Sequence, residues 1–392
     1  MQAARDAFAR HSWHEVYTLL TDAGEDLDAD RLEMLAVAAN LIGRDQDSIR
    51  AWERAHVIHL SGGRLDRAAQ SACWAALILL LRGEMAQAGA WMTRAGRIVE
   101  ELGADVPVAA RGMLLIPSAL AALHAGDAET AREVADQIIA IGIAVDEPDL
   151  LAFGRLSAAQ AALVAGDIAR SMRMFDEVML SVMVGEVSPI PTGIIYCAVV
   201  DGCVEACDLR RAAEWTEALR RWCDDQPDLV PYRGQCMVHR SQVLLAQGSW
   251  AEAVTEAELA CQRLAEPFHP ALGLAHYQRG ELHRLRGELD AAAEAYREAS
   301  RYGHDAVPGF ALLRLAEGDV DGAVRAARRM LDEHGPGPAR SGLLAAAVEV
   351  RLAAGDTTEA RALAEELAEL AEATGTEMVS AFAEYGRGTV LL

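Results

Sequence analysis

The stretch Gly287-Glu288-Leu289-Asp290-Ala291-Ala292-Ala293-Glu294-Ala295-Tyr296-Arg297-Glu298-Ala299 decides the fold. A glycine closes one apolar-periodic run and a second run opens at once, with small residues at Ala292 and Ala299 and a large one, Tyr296, between them. Glycine in that place ends a helix in the left-handed conformation, and an Asp, Glu or Ser after it can accept from the free amides of the next helix. The unit is therefore helix, tight turn, helix. It recurs at Gly43, Gly83, Gly126, Gly166, Cys207, Gly248, Gly287, Gly318 and Gly355, and five residues past each anchor stand Ser48, Ala88, Ala131, Ser171, Ala212, Ala253, Ala292, Ala323 and Ala360. Side chains this small let the two helices of a pair approach closely, and repetition on this scale means a solenoid.

The position seven before the turn is also small, at Gly280, Ala36, Ala76, Ala119, Ala159, Ser241 and Ala311, with Val200 and Val348 departing from it. These offsets resemble the tetratricopeptide pattern. Most spacings exceed that family's usual length, and the surplus reads as longer helices. The expectation is an all-α, right-handed α-solenoid of about nine to ten tetratricopeptide-like helix-turn-helix repeats with elongated helices, forming a single superhelical domain over 1–392. A HEAT-like array is the structural alternative.

Composition fits: 52% of residues are hydrophobic and 5% aromatic, and no β-rich segment is visible. The balance of 36 basic residues, all Arg, against 59 acidic ones gives a net charge of −23, which repels phosphate backbones and argues against direct nucleic-acid binding. Arg325, Arg328 and Arg329 read as a solvated face. No signal peptide is apparent, and the longest apolar run, 75–81, is too short to span a bilayer, so a soluble cytoplasmic protein with no membrane contact is expected. Seven cysteines fit a reducing compartment; Cys197, Cys203, Cys207, Cys223 and Cys236 match no metal or haem spacing and read as small core residues.

Chemistry-bearing motifs are few. Asp224-Asp225-Gln226-Pro227-Asp228 fits the Asp-Asp-x-x-Asp pattern that binds magnesium diphosphate in prenyl-transferring enzymes, a remote alternative function. That chemistry needs its carboxylates on one helical face, whereas Pro227 and the repeat register place the segment in an inter-repeat loop. His239, His276 and His283 fall on helices without acidic partners at ligand spacing. No catalytic residue, metal ligand or cofactor is assigned.

In such repeats the first helix lines the concave side, and the residue six before each turn should face the groove. That position reads Val37, Leu77, Leu120, Gln160, Asp201, Gln242, Glu281, Leu312 and Glu349, polar in four consecutive central repeats. Gln160, Asp201, Gln242 and Glu281, with Gln235, Tyr277 and Arg284 beside them, are the expected binding stripe for a small ligand, a peptide or a partner protein. A groove that is simply hydrated there is the alternative.

The segments Ile194-Ile195-Tyr196-Cys197-Ala198-Val199, Asp208-Leu209-Arg210-Arg211-Ala212-Ala213-Glu214-Trp215-Thr216, 222–235, 277–288 and Pro308-Gly309-Phe310-Ala311-Leu312-Leu313-Arg314-Leu315-Ala316 resemble the helical-repeat region of actinobacterial LuxR-type, maltose-activator-like transcriptional regulators, most strongly over about 190–320. The all-Arg, Ala-rich composition suits a GC-rich actinobacterial genome. The resemblance implies a region that senses an inducer or partner, next to a C-terminal DNA-binding helix-turn-helix domain that this chain does not contain. The run Ser380 to Leu392 reads as the first helix of a further repeat, so a truncated chain, or an end buried in a homodimer, is expected. A free-standing scaffold that docks another protein is the competing function.

Overall fold

The computed structural model describes residues 2–24, 26–103, 106, 108–226, 228–266, 268–335 and 337–392, and the backbone alone of Arg233. Every regular element among them is helical, and the fold is an all-α helical-repeat solenoid. After two leading helices, Gln2–Ala9 and Trp13–Asp22, the first two repeats pair Ala29–Leu41 with Asp45–Ser61 and Leu65–Leu81 with Met85–Leu102. The third pairs Ile116–His124, preceded by the short Ala109–Met113, with Ala128–Val145; the fourth pairs Pro148–Val164 with Ile168–Met183 and the fifth Pro189–Glu205 with Leu209–Asp224. The sixth to ninth pair Arg233–Ala246 with Trp250–Ala265, Leu272–Leu285 with Leu289–Arg301, Gly309–Ala316 with Val320–Glu333, and Arg340–Ala353 with Thr357–Thr374. Glu377–Leu391 follows and packs on the ninth pair. The elongation is real: helices of the first two repeats run 13 to 18 residues, whereas the 31-residue spacing between Gly287 and Gly318 corresponds to helices of 13 and 8 residues.

All nine anchors have positive φ, Cys207 at +58° included. The turn satisfies the orphan carbonyls in the same way each time it is described, as in Gly83 N–H to the Leu80 carbonyl (2.9 Å) and Glu84 N–H to the Leu79 carbonyl (2.9 Å). The residue after the anchor divides by type. Asp127, Asp208, Asp319 and Asp356 each accept from the amide three residues on, at 2.9 to 3.1 Å, whereas Glu84, Glu288 and Ser249 form no side-chain cap. The capping expectation thus holds for Asp, whose short side chain reaches the amide.

The nine small residues past the turns are all fully buried, and their partners seven before the turns, Ala36, Ala76, Ala119, Ala159, Ser241, Val200, Ala311 and Val348, are buried too. Where serine occupies a crossing, its hydroxyl donates to the carbonyl of the opposite partner: Ser48 to Ala36 (2.6 Å), Ser171 to Ala159 (2.8 Å) and, reversed, Ser241 to Ala253 (2.9 Å). The same turn recurs between the first and second repeats at Gly63, which the register of nine does not include; there His56 Nδ1 bonds to the Ala68 carbonyl (2.8 Å) across the crossing.

Contacts divide the chain into two compact units: residues 1–165, 170–196 and 219–233, and residues 166–169, 197–218 and 234–392. In the first, residues far apart in sequence meet. The Trp13 indole donates to Gln226 Oε1 (2.9 Å), and Val230 N–H to the Leu41 carbonyl (2.9 Å) beside the first turn. The second has its own long-range contact, since the Cys207 thiol lies 3.5 Å from Ser341 Oγ and 3.8 Å from the Pro338 carbonyl, within a cluster that includes Leu344, Val348 and Leu367. All seven cysteines are buried.

Two outcomes follow from this packing. Ala292→Leu overfills a crossing with no free surface and should cost about 1–3 kcal/mol by urea denaturation. At Cys207, glycine should be accepted and Cys207→Val should destabilise by more than ~1–2 kcal/mol, because a β-branched residue is strained at positive φ; equal stability of the two variants would contradict this.

Candidate functional site

The expected stripe falls into separate surroundings. Gln160 lies in the first unit and the other six residues in the second. Asp201 and Gln242 meet through His239, whose Nδ1 is 3.6 Å from the Asp201 carboxylate and 3.4 Å from Gln242 Oε1. Surrounding protein pushes the Asp201 and Glu205 carboxyls above the usual range, and their mutual repulsion adds to it at Glu205. Asp201 keeps 54% of its side-chain surface exposed, so water blunts that effect.

Glu281 and Arg284 belong to a different group. Arg284 Nη2 donates to Glu281 (2.8 Å), the Tyr296 hydroxyl donates to the same carboxylate, and Tyr277 is buried against Tyr296 and His304 at centroid distances of 5.8 and 5.1 Å. A Cβ at Gly309 would collide with the Glu281 carboxylate and the Tyr296 hydroxyl, and one at Gly280 with the Tyr296 ring. Burial, then the Glu281 charge, raises the Tyr296 phenol well above its usual range. Gln235 is half-buried in Arg233–Ala246 and joins neither group among the described contacts. Histidine also finds acid where the sequence spacing gave none: besides His239 beside Asp201, His283 Nδ1 lies 2.6 Å from Glu288.

The Asp-Asp-x-x-Asp segment begins on the last residue of the helix Leu209–Asp224 and leaves the helix at Asp225, with Pro227 outside the described residues. Its acids diverge: Asp224 pairs with Arg220, and Asp228 accepts from the His14 amide (3.2 Å). Among the described residues no three His, Cys, Asp or Glu side chains converge as a metal site requires.

A better-formed site lies wholly within the first unit. A cavity of about 290 Å³ is lined from the first repeat by Asp30, Glu33, Met34 and Val37, from the second by Arg67, Gln70, Ser71 and Trp74, and by Trp52 between them. Glu147 and Asp149 from the start of the fourth repeat, Ser188 and Ile190 from the start of the fifth, and Phe8 complete it. Trp52 and Trp74 stack at 5.9 Å with planes 16° apart. Glu33 is held by His59 Nε2 (2.8 Å) and by Arg67, the one basic residue in the lining. Asp149 accepts from the Ser188 amide (2.7 Å) and hydroxyl (2.6 Å). Burial raises both Glu147 and Asp149 above the ordinary carboxylate range; at Glu147 the Asp149 charge adds to it, and at Asp149 the Ser188 bonds oppose it.

The sequence held a signal for this cavity. Val37, on the expected groove position, lines it, but its polar members sit one and two helical turns earlier on the same face. Asp30 and Glu33 stand thirteen and ten before Gly43, and Gln70 and Trp74 thirteen and nine before Gly83. Reading only the position six before the turn returned Val37 and Leu77 and hid them.

No family model matches the chain, and no curated protein does. Among solved structures it is similar to a tetratricopeptide repeat protein from Parabacteroides merdae, at 14% identity over 70% of this chain and 98% of that one, TM-score 0.42. It is also similar to the human IFIT1 dimer with m7Gppp-AAAA (11%, 96% and 94%, TM-score 0.46) and to the apo form of RapI (10%, 92% and 98%, TM-score 0.43). No described helix is long and apolar enough to cross a membrane.

The raised carboxyl of Glu147 gives a pH signature. Its folded-state pKa lies above the unfolded value, so its contribution is fully present at low pH and is lost as pH rises through the folded pKa, leaving the ionised form a net cost. Glu147→Gln should therefore stabilise the unliganded protein at pH 7 relative to wild type, and the gain should vanish near pH 3.5, as followed by urea titration at each pH.

Proposed function

We propose that this chain is a non-enzymatic binding module, the sensing region of a transcriptional regulator, which takes a small ligand, a peptide or a partner protein on the inner faces of its repeats. The observation that carries the reading is the cavity of the first unit. It is lined by charged side chains from the first, second and fourth repeats, by Trp52 and Trp74, and by Ser188 and Ile190 from the start of the fifth, so an occupant touches segments that the sequence places more than 150 residues apart. The resemblance of 190–320 to LuxR-type regulators supports the sensing role, and the free-standing scaffold uses the same surface. Seven cysteines buried in the core suit a reducing cytoplasm.

An occupant acts by population shift: it favours the arrangement in which the first helices meet the loop after the fifth repeat, through Trp13–Gln226 and Val230–Leu41. A ligand at one hundred times its Kd should stabilise that arrangement by about 2.7 kcal/mol. A thermal-shift survey of neutral, anionic and cationic compounds, run on wild type and Trp74→Ala, tests this. Compounds that raise Tm in wild type and not in Trp74→Ala support the reading; a survey in which every shift is indifferent to Trp74→Ala overturns the cavity as the site.

A further inference from the structure

The lining of the cavity says more about its occupant than that one exists. Four carboxylates, Asp30, Glu33, Glu147 and Asp149, face it against Arg67 alone. Glu33 forms the ion pairs with both Arg67 and His59, so Asp30, Glu147 and Asp149 have no salt bridge among the described residues, although Ser188 bonds Asp149 and the Gln70 amide and the Arg67 charge act on Glu147. The stacked Trp52–Trp74 pair offers a π-surface to the same space, and indole is the aromatic group that holds a cation best. Trp52 supplies an independent mark of an absent partner. It is 5% exposed, it lines the cavity, and its indole N–H is buried with no hydrogen-bond acceptor among the described residues. Buried donors are ordinarily paired, and this one belongs to a residue of the cavity wall.

We propose that this cavity binds an organic cation, an ammonium or guanidinium group packed against Trp74 and paired with Glu147 and Asp149, carried by a molecule that also presents an acceptor oxygen to the Trp52 indole. The shared chemistry fits a free amine or guanidine of amino-acid size and equally a lysine or arginine residue of a peptide, whose backbone carbonyl is the acceptor. A volume of about 290 Å³ admits one such residue and little more. A chain of net charge −23 draws cations toward it and repels anionic ligands. Burial holds Glu147 and Asp149 partly toward their neutral forms, and an arriving cation favours the charged forms, so binding displaces carboxyl protons to solvent and affinity rises from pH 4 to pH 7.

The proposal rests on the cavity being the binding site. Isothermal titration of the full chain with N-acetyl-arginine amide, its uncharged citrulline counterpart, free arginine methyl ester and a capped Gly-Arg-Gly peptide tests it. The arginine compounds should bind at least tenfold more tightly than the citrulline one. Glu147→Gln should weaken them about tenfold, Trp52→Phe should weaken acceptor-bearing probes while sparing tetramethylammonium, and Asp332→Asn, exposed in the other unit, should change nothing. Preference for the methyl ester identifies a free cation as the occupant, and preference for the capped peptide a basic residue. Equal binding of arginine and citrulline probes, lost in Trp74→Ala, overturns the cation and keeps the cavity as a site. No binding of any cation at millimolar concentration to a protein with wild-type helicity overturns the proposal, while a neutral or anionic compound from the thermal survey would leave the binding module standing.

Discussion

The close crossing of two small side chains beside each turn governs the rest of the molecule. Nine fully buried positions, from Ser48 to Ala360, admit no methylene without displacing a helix. Because the helices of a pair meet there and diverge from it, larger residues further along each first helix are left to reach the inner face. Trp74 and Glu33 stand where they do because Ala76 and Ala36, two and three residues on, are small and turned to the paired helix. Three serines show how strict the geometry is, since each reaches a carbonyl twelve residues away across the crossing.

Much of this was legible in the sequence, because turn and crossing are local. A glycine at positive φ and a small residue five places later leave a mark that any one repeat carries whole. Cys207 could be read as a glycine substitute from register alone, and its φ of +58° agrees. The capping distinction between Asp127 and Glu84 was not legible, because it turns on one methylene of reach. Neither was the meeting of Trp13 with Gln226: that contact has no period, and nothing near either residue announces the other. The cavity stands between these extremes. Its charged residues keep helical spacing, but their convergence depends on long-range packing that a repeat register does not contain.

Two of the polar groups described differ in a way that bears on what each is for. Glu281, Arg284 and Tyr296 complete one another, with a carboxylate, a guanidinium and a phenol in mutual hydrogen bonds between Gly280 and Gly309. Such a network specifies packing and leaves little for an outside group to supply. The walls around Trp52 and Glu147 are incomplete in both senses, with an indole donor unmet and carboxylates in excess of cations. A site that is kept at a cost to its own stability is what binding demands, since the energy withheld from the empty fold is returned on occupancy.

The contact between Trp13 and Gln226 sets an order on the life of the chain. An open stack of repeats can settle pair by pair as it leaves the ribosome, each unit needing only its predecessor. Here the second helix of the protein waits for a partner 213 residues away, which at ordinary rates of synthesis is about 10 to 40 s. Through that interval the Trp13 indole stays without this partner, so a segment made early is completed only by one made much later.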